Sequence, residues 1–133
     1  MPVVVGFVPT NEGRTALRRA VEEASLRNEK LVVISSNRGG ERFTDAQAKG
    51  FDEELEKIKA ELSAKSVDHE VRGLVRGNDP SEDLVEVAEE IGAKLIVIGL
   101  RRRSPVGKLL LGSNAQRILL DAKCDVLAVK ADA

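Results

Sequence analysis

At 133 residues, with 42% apolar and 32% charged residues and a formal net charge of −1, the chain has the length of one domain with a full core and the balance of an ordinary globular protein. The near-neutral charge excludes a molecule that binds polyanions over its whole surface. Trp and Tyr are absent and Phe numbers only 3, which leaves no aromatic platform for stacking single-stranded nucleic acid.

A lone cysteine, Cys124, rules out an internal disulfide and a cysteine-based metal cluster, and a lone histidine, His69, leaves little for imidazole or zinc chemistry. Both read as structural residues, Cys124 as a buried thiol and His69 as an ordinary surface or half-buried side chain. The opening segment Met1-Pro2-Val3-Val4-Val5-Gly6 has no basic region before its apolar run. That run is too short for a signal peptide or a membrane span, so a cytoplasmic location is expected.

Residues 3–8 are a continuous β-branched and aromatic run and read as a buried strand, stopped by Pro9-Thr10-Asn11. Ala16, Leu17, Ala20, Val21 and Ala24 follow at helical spacing. Residues 31–34 form a second buried strand with Ser35 and Ser36 at its exit, and Asn37-Arg38-Gly39-Gly40 makes a flexible loop. Thr44 and Gln47 form a capping box that starts a long helix, with Phe51, Leu55, Ile58 and Leu62 as its apolar stripe. Residues 67–75 place Val67, His69, Val71, Gly73 and Val75 on one parity, the pattern of a less buried, edge-like third strand. Gly77-Asn78 turns the chain into Asp79-Pro80-Ser81-Glu82: an acidic N-cap, Pro at the first helical position, and Glu three residues after the cap. Leu84, Val85, Ala88 and Ile91 face inward on that helix, and Gly92 is its C-cap. Residues 95–98 form the fourth strand. After a basic loop, Ser113 and Gln116 make a second capping box, Ala115, Ile118, Leu119 and Ala122 continue the helix, and residues 126–129 close the chain as a fifth strand.

Strands alternating with helices predict an α/β fold, an open five-stranded parallel sheet with helices on both faces. There is no internal repeat, and no linker rich in Pro or Ser divides residues 1–133, so one domain is expected. Such sheets bind ligands beyond the carboxyl ends of their strands, where the strand order reverses. This directs attention to residues 9–13, 35–40 and 99–113.

The last of these segments carries the strongest chemistry. Gly99 leads into Arg101-Arg102-Arg103, Lys108 follows, and the loop ends in Gly112-Ser113 at a helix start. Free backbone N–H groups, positive side chains and the positive end of a helix dipole suit an anion, foremost a nucleotide phosphate. Each part also has a plainer reading. Gly99 serves as a turn glycine, the arginines and Lys108 as solvated charge, and Ser113 with Gln116 as a cap. Capping and phosphate binding use the same orphan N–H groups and do not exclude one another. Thr10 and Asn11 suit a turn and helix cap as well as they suit a ligand. Ile98 is as much core as it is a flank for a base. No general base, nucleophile or metal cluster stands out, and no motif for double-stranded nucleic acid is present.

Three stretches together resemble the universal stress protein family over nearly the whole chain. Val8-Pro9-Thr10-Asn11 is similar to the family's Pro-Thr-Asp or Pro-Val-Asp turn, and Gly77-Asn78-Asp79-Pro80 to its Gly-x-Pro helix entry. The loop from Gly99 through Leu109-Leu110-Leu111-Gly112-Ser113, followed by Cys124-Asp125-Val126-Leu127-Ala128-Val129, is similar to its nucleotide loop and final strand. The resemblance implies a Rossmann-like fold of the adenine nucleotide alpha hydrolase type with strand order 3-2-1-4-5. It implies a regulatory, stress-response protein that binds ATP or AMP at the carboxyl edge of the sheet, without dedicated catalysis and with at most slow, incidental ATP hydrolysis. Adenine would lie near Val8, Pro9, Thr10 and Asn11 and against the backbone of Ser36, with Ile98 beside the base. Phosphates would meet N–H groups of Arg102, Gly112, Ser113 and Asn114, with Gly99 starting the loop. Any Mg²⁺ would be held by triphosphate oxygens and water. The resemblance also implies a homodimer, paired antiparallel through Val126, Leu127, Ala128 and Val129. Neither a membrane nor a nucleic acid is an expected partner.

Two positions depart from the family pattern. The middle glycine of the nucleotide loop is Arg102, and the acidic residue of the first turn is Asn11. An arginine at the glycine position either obstructs the site or supplies a fork for a phosphate oxygen. The obstructed case is the alternative: a homodimeric interaction module, without nucleotide, whose cleft Arg102 fills.

Overall fold

A computed structural model describes residues 1–101 and 111–131 of the chain. The elements alternate as β1 (Val3–Gly6), α1 (Asn11–Arg27), β2 (Leu31–Asn37), α2 (Asp45–Ser63), β3 (His69–Val75), α3 (Pro80–Glu90), β4 (Leu95–Leu100), α4 (Ser113–Asp121) and β5 (Asp125–Lys130). All four strand pairings are parallel, and the order is β3-β2-β1-β4-β5. Val3 stands opposite both Leu31 and Leu95, so β1 is the central strand and the order reverses beside it.

Composition decides which strand sits where. Val3, Val4 and Val5 are 0% exposed because helices cover both faces of the central strand, which is why that strand reads as an unbroken apolar run. Val3 and Val5 pack with Ala16, Leu17, Ala20 and Ala24 of α1 and with Ile58 and Leu62 of α2. Val4 packs on the other face with Leu84, Val87 and Ala88 of α3 and with Ile118 of α4. Each fully buried aliphatic side chain contributes about 1.5–3 kcal/mol, so these two layers hold the domain with Phe7 as the one buried aromatic side chain among the described residues. β3 and β5 are the sheet's edges, and their residues are at most half-buried. No helix among the described residues is long and apolar enough to cross a membrane.

The helix ends follow local chemistry. Thr10 caps α1 by accepting a hydrogen bond from Gly13 N (3.2 Å), and Thr44 and Gln47 form the expected reciprocal box at α2. The C-cap of α3 is Ile91, not Gly92, which takes φ +66 one residue beyond it. Three other expectations are corrected. The N-cap of α4 is Gly112, not Ser113, and Gln116 Nε2 turns back to donate to Leu111 O, so no second capping box forms. Asp79 occupies the α3 N-cap, but its carboxylate makes no cap bond, because Arg38 and Arg117 take it. Gly99 is not a turn glycine. It lies within β4, paired with Val129, since β4 runs on to Leu100 alongside β5.

Other strand boundaries also move: β3 begins at His69 rather than Val67, β5 spans Asp125–Lys130, and the exits of β1 and β2 shift. β1 ends at Gly6; Phe7 N still donates to Ile34 O, but Val8 turns outward and is 41% exposed. β2 runs three residues past the apolar stretch, because Ser35, Ser36 and Asn37 pair with Gly73, Leu74 and Val75 of β3. The backbone ladder thus carries polar side chains to the carboxyl edge of the sheet.

At that edge α1 is set very close to the sheet. A Cβ on Gly99 would collide with the carbonyl oxygen of Glu12, and one on Gly13 with the carbonyl oxygen of Val8. Both obstacles are main chain, which does not move aside as a side-chain tip does. Gly99→Ala is therefore expected to cost about 2 kcal/mol and lower Tm by roughly 7 °C. Gly50→Ala on α2, where a Cβ meets open space, should instead gain about 0.5–1 kcal/mol. Thermal melts of the two variants test the pair, and equal effects would contradict the close approach.

Candidate functional site

Because every strand runs the same way, the carboxyl ends of the strands and the N-termini of the helices gather at one edge. A cleft of ≈ 260 Å³ opens there, on the side of the sheet covered by α3 and α4. Gly6, Phe7 and Val8 of the β1 exit, with Ile98, Gly99 and Leu100 of β4, line it where the strand order reverses. Ile34 and Ser36 of β2 and Leu84 of α3 wall one end. Gly112, Asn114, Ala115 and Ile118 supply the α4 wall, and Arg101 lines the cleft at the β4 exit. First-turn residues of three helices reach the cleft: Glu12 and Gly13 of α1, Pro80 and Ser81 of α3, Asn114 of α4. Their dipoles bias the cleft toward negative charge.

The cleft brings together six of the residues expected from the sequence: Val8, Ser36, Ile98, Gly99, Gly112 and Asn114. Pro9, Thr10, Asn11 and Ser113 are exposed and do not line it. Arg102, along with Arg103 and Lys108, lies outside the described residues. Glu12, an acidic residue that the sequence reading passed over, lines the cleft one position beyond Asn11, where the first-turn acid was missing.

The most strongly built feature is also one that sequence reasoning missed. Asp83, on the first turns of α3, is 0% exposed. Its Oδ1 accepts hydrogen bonds from Arg76 Nη2 (2.8 Å), Arg76 Nε (3.1 Å) and Asn78 Nδ2 (3.1 Å), and its Oδ2 accepts one from Ser36 Oγ. Burial by itself raises this carboxyl, but the hydrogen bonds from Ser36, Asn78 and Arg76, together with the Arg76 charge, outweigh it and hold Asp83 below the ordinary aspartate range. An aspartate so firmly ionised is a poor proton acceptor, so the Ser36–Asp83 pair fixes a hydroxyl rather than activating one. Beside it, Ser81 is buried, and its hydroxyl has no hydrogen-bond partner among the described residues.

A second network frames the mouth. The Asp79 carboxylate pairs with Arg38 from the β2 exit and with Arg117 of α4, and Arg117 also reaches Glu82 (3.1 Å). Single exposed pairs contribute about 0–1 kcal/mol; here the pairs join three segments around the cleft. His69 Nδ1 lies 3.0 Å from Val67 O on β3, and Cys124 is half-buried, its thiol pushed up by burial and by Asp125. Among the described residues no three His, Cys, Asp or Glu side chains group as a metal site.

The lowered Asp83 pKa has a definite sign. Its contribution to stability is fully present above the unfolded-state value of about 3.9 and is lost as pH falls through the lower folded-state value. Asp83→Asn should therefore melt well below the wild type at pH 7, and the gap should narrow as pH is taken from 5 to 3. A gap independent of pH would show that the charge of Asp83 is not what stabilises the fold.

Known proteins share this fold. The model of the universal stress protein family matches residues 1–130. A universal stress protein of Mycolicibacterium smegmatis is 41% identical over 128 residues, covering 96% of each chain. Among solved structures, a universal stress protein of Archaeoglobus fulgidus superposes with a TM-score of 0.85 at 37% identity, covering 98% of both chains. Another from Archaeoglobus fulgidus, solved in complex with dAMP, superposes with a TM-score of 0.79 at 32% identity, again covering 98% of both. A parallel sheet in the order 3-2-1-4-5, a cleft at its order reversal and a family match over nearly every residue lead to one conclusion: this chain belongs to the universal stress protein family.

Proposed function

We propose that the protein is a cytoplasmic regulatory protein of the stress response that binds an adenine nucleotide, ATP or AMP, in the cleft at the carboxyl edge of its sheet. The observation that carries this reading is the start of α4. Gly112 is its N-cap and offers no side chain, so the first N–H groups of α4 have no side-chain cap where they border the cleft. A phosphate is the natural acceptor for such groups. Arg101 adds positive charge at the same end. The apolar end, between Ile34, Leu84 and Ile98, suits a purine. The dAMP held by the 32% identical relative supports the same assignment.

In this reading Ser36 and Ile98 contact the base, and Pro9, Thr10 and Asn11 border the sugar side from the rim. Gly99, Gly112, Ser113 and Asn114 present backbone to the phosphates, and Arg102 adds its N–H. Glu12 is the one acidic residue lining the cleft among the described residues, and Mg²⁺ arriving with a triphosphate rides on phosphate oxygens and water. Binding, not turnover, is the role of the site, and any hydrolysis is slow and incidental. Ligand favours one state of the protein, and a partner or the dimer reads that state.

The dimer forms through β5. It is an edge of the sheet, with Val126, Leu127, Ala128 and Val129 only half-buried, and unpaired edge N–H and C=O groups favour pairing with a second copy across a two-fold axis. Leu119 and Leu120 of the preceding helix, 42% and 82% exposed, add apolar surface.

Calorimetric titration with ATP and AMP should give saturable binding, and Gly112→Val should weaken it about tenfold or more, because the branched side chain crowds the phosphate path while the fold survives. Dissociation constants weaker than ~1 mM for both nucleotides would remove the nucleotide reading, and undiminished affinity in folded Gly112→Val would remove the phosphate assignment. Light scattering at micromolar concentration should return twice the 14.4 kDa chain mass; a monomer there would defeat the dimer.

A further inference from the structure

We infer that Arg38 and Arg117 form a second anion site, at the mouth of the cleft, which takes a phosphate group and which the carboxylate of Asp79 plugs when no phosphate is there. Neither arginine lines the cleft, so this site stands apart from whatever the cleft binds.

Arg38 comes from the exit of β2 and Arg117 from α4, and they meet on one carboxylate. Asp79 Oδ1 accepts from Arg38 Nη2, and Asp79 Oδ2 accepts from Arg117 Nη1 (3.4 Å). Arg117 Nη1 also donates to Glu82 Oε1 (3.1 Å), a contact that keeps Arg117 in place if Asp79 leaves. Two guanidiniums from different elements, each on a different oxygen of one group, suit a phosphate, and Asp79 meets them with a single charge and two oxygens. A phosphate brings a larger charge and three acceptor oxygens. The side chains are 63% (Arg38), 46% (Arg117) and 33% (Asp79) exposed, so a solute reaches them without unfolding the domain.

Asp79 is displaceable because it has a second use. It is the N-cap of α3, with extended backbone at φ −65 and ψ 146, yet it makes no cap bond. Thr10 and Thr44 hold the same position on α1 and α2 and do cap, accepting from Gly13 N and Gln47 N, three residues on. Glu82 N is the counterpart for Asp79. The same helix start has a further unmet donor: the Ser81 hydroxyl, 1% exposed, has no hydrogen-bond partner among the described residues. Asp79 therefore has two exclusive arrangements. In one it neutralises Arg38 and Arg117 and leaves α3 without a side-chain cap. In the other its side chain turns to cap α3 and leaves both arginines to a phosphate. Exposed ion pairs and a helix cap are of similar, small worth. The two arrangements thus lie close in free energy, and a guest that binds only the second shifts the balance.

Inorganic phosphate alone, titrated into the full chain at constant ionic strength, tests this by calorimetry and by the amide resonance of Glu82. In the wild type that resonance should shift as phosphate binds and Asp79 turns to cap it. Asp79→Asn keeps a capping side chain but no longer plugs the arginines. It should bind phosphate about tenfold more tightly, as expected if the open arrangement is about one-tenth populated in the wild type. Asp79→Ser, a second neutral cap, repeats the test should the asparagine variant not fold. Placed in the Asp79→Asn chain, Arg38→Ala and Arg117→Ala should each lose about tenfold, whereas Arg18→Ala, an exposed arginine of α1, should lose nothing. Folded neutral variants that bind phosphate no better than the wild type overturn the plug. Binding that survives both arginine substitutions overturns the site. Either failure leaves the nucleotide reading standing, since no nucleoside is used. Repeating the titration with AMP present identifies the source of the phosphate: undiminished binding marks a separate phosphate-bearing ligand, and loss of it marks the nucleotide's own phosphate.

Discussion

The parallel direction of the five strands is the constraint from which the rest follows. Every crossover must return the chain to the same end of the sheet, so each strand delivers its exit, and each helix its start, to a single edge. Where the order reverses, beside β1, neighbouring crossovers leave on opposite faces and a crevice remains between them. Nothing in that crevice needs a special side chain to attract an anion. The unsatisfied N–H groups of helix starts already do so.

Much of this was legible in the sequence, for a physical reason: a strand buried on both faces must be apolar throughout, and a helix buried on one must repeat its apolar residues every turn. The alternation of those two patterns marks the nine elements of the described residues. Termini were read less well, because a cap depends on atoms as well as residue types. Thr44 with Gln47 and Ser113 with Gln116 have the same spacing, yet only the first pair closes. The chain before Ser113 leaves Gly112 in the extended position that a cap requires, and Gln116 finds a better acceptor in Leu111 O. Gly99 falls inside its strand rather than just past it for a similar reason: whether a strand ends at residue 98 or 100 depends on how far β5 accompanies it.

Asp83 shows what a charge pattern conceals. In Pro80-Ser81-Glu82-Asp83 it looks like one more acid in a first turn, suited to a helix N-terminus and to solvent. One signal did mark it. Positions 83, 84, 87, 88 and 91 fall on a single helical stripe, and the others are Leu, Val, Ala and Ile. A carboxylate on an apolar stripe must have partners, and those partners, Ser36, Arg76 and Asn78, come from the ends of β2 and β3. Only the fold brings them within reach. The same cluster joins the edge strand β3 to the centre of the molecule at the end where the cleft lies.

The contact between α1 and the sheet bears on how such a protein can diverge. Where Gly13 and Gly99 let peptide groups meet directly, there is no side chain to trim or enlarge, so that wall of the crevice has a fixed position. New ligand preferences must then arise on the opposite wall, at Ser36, Leu84 and the start of α4, where one substitution changes shape or polarity without moving the backbone. One rigid jaw and one adjustable jaw let a single scaffold accept a succession of different guests.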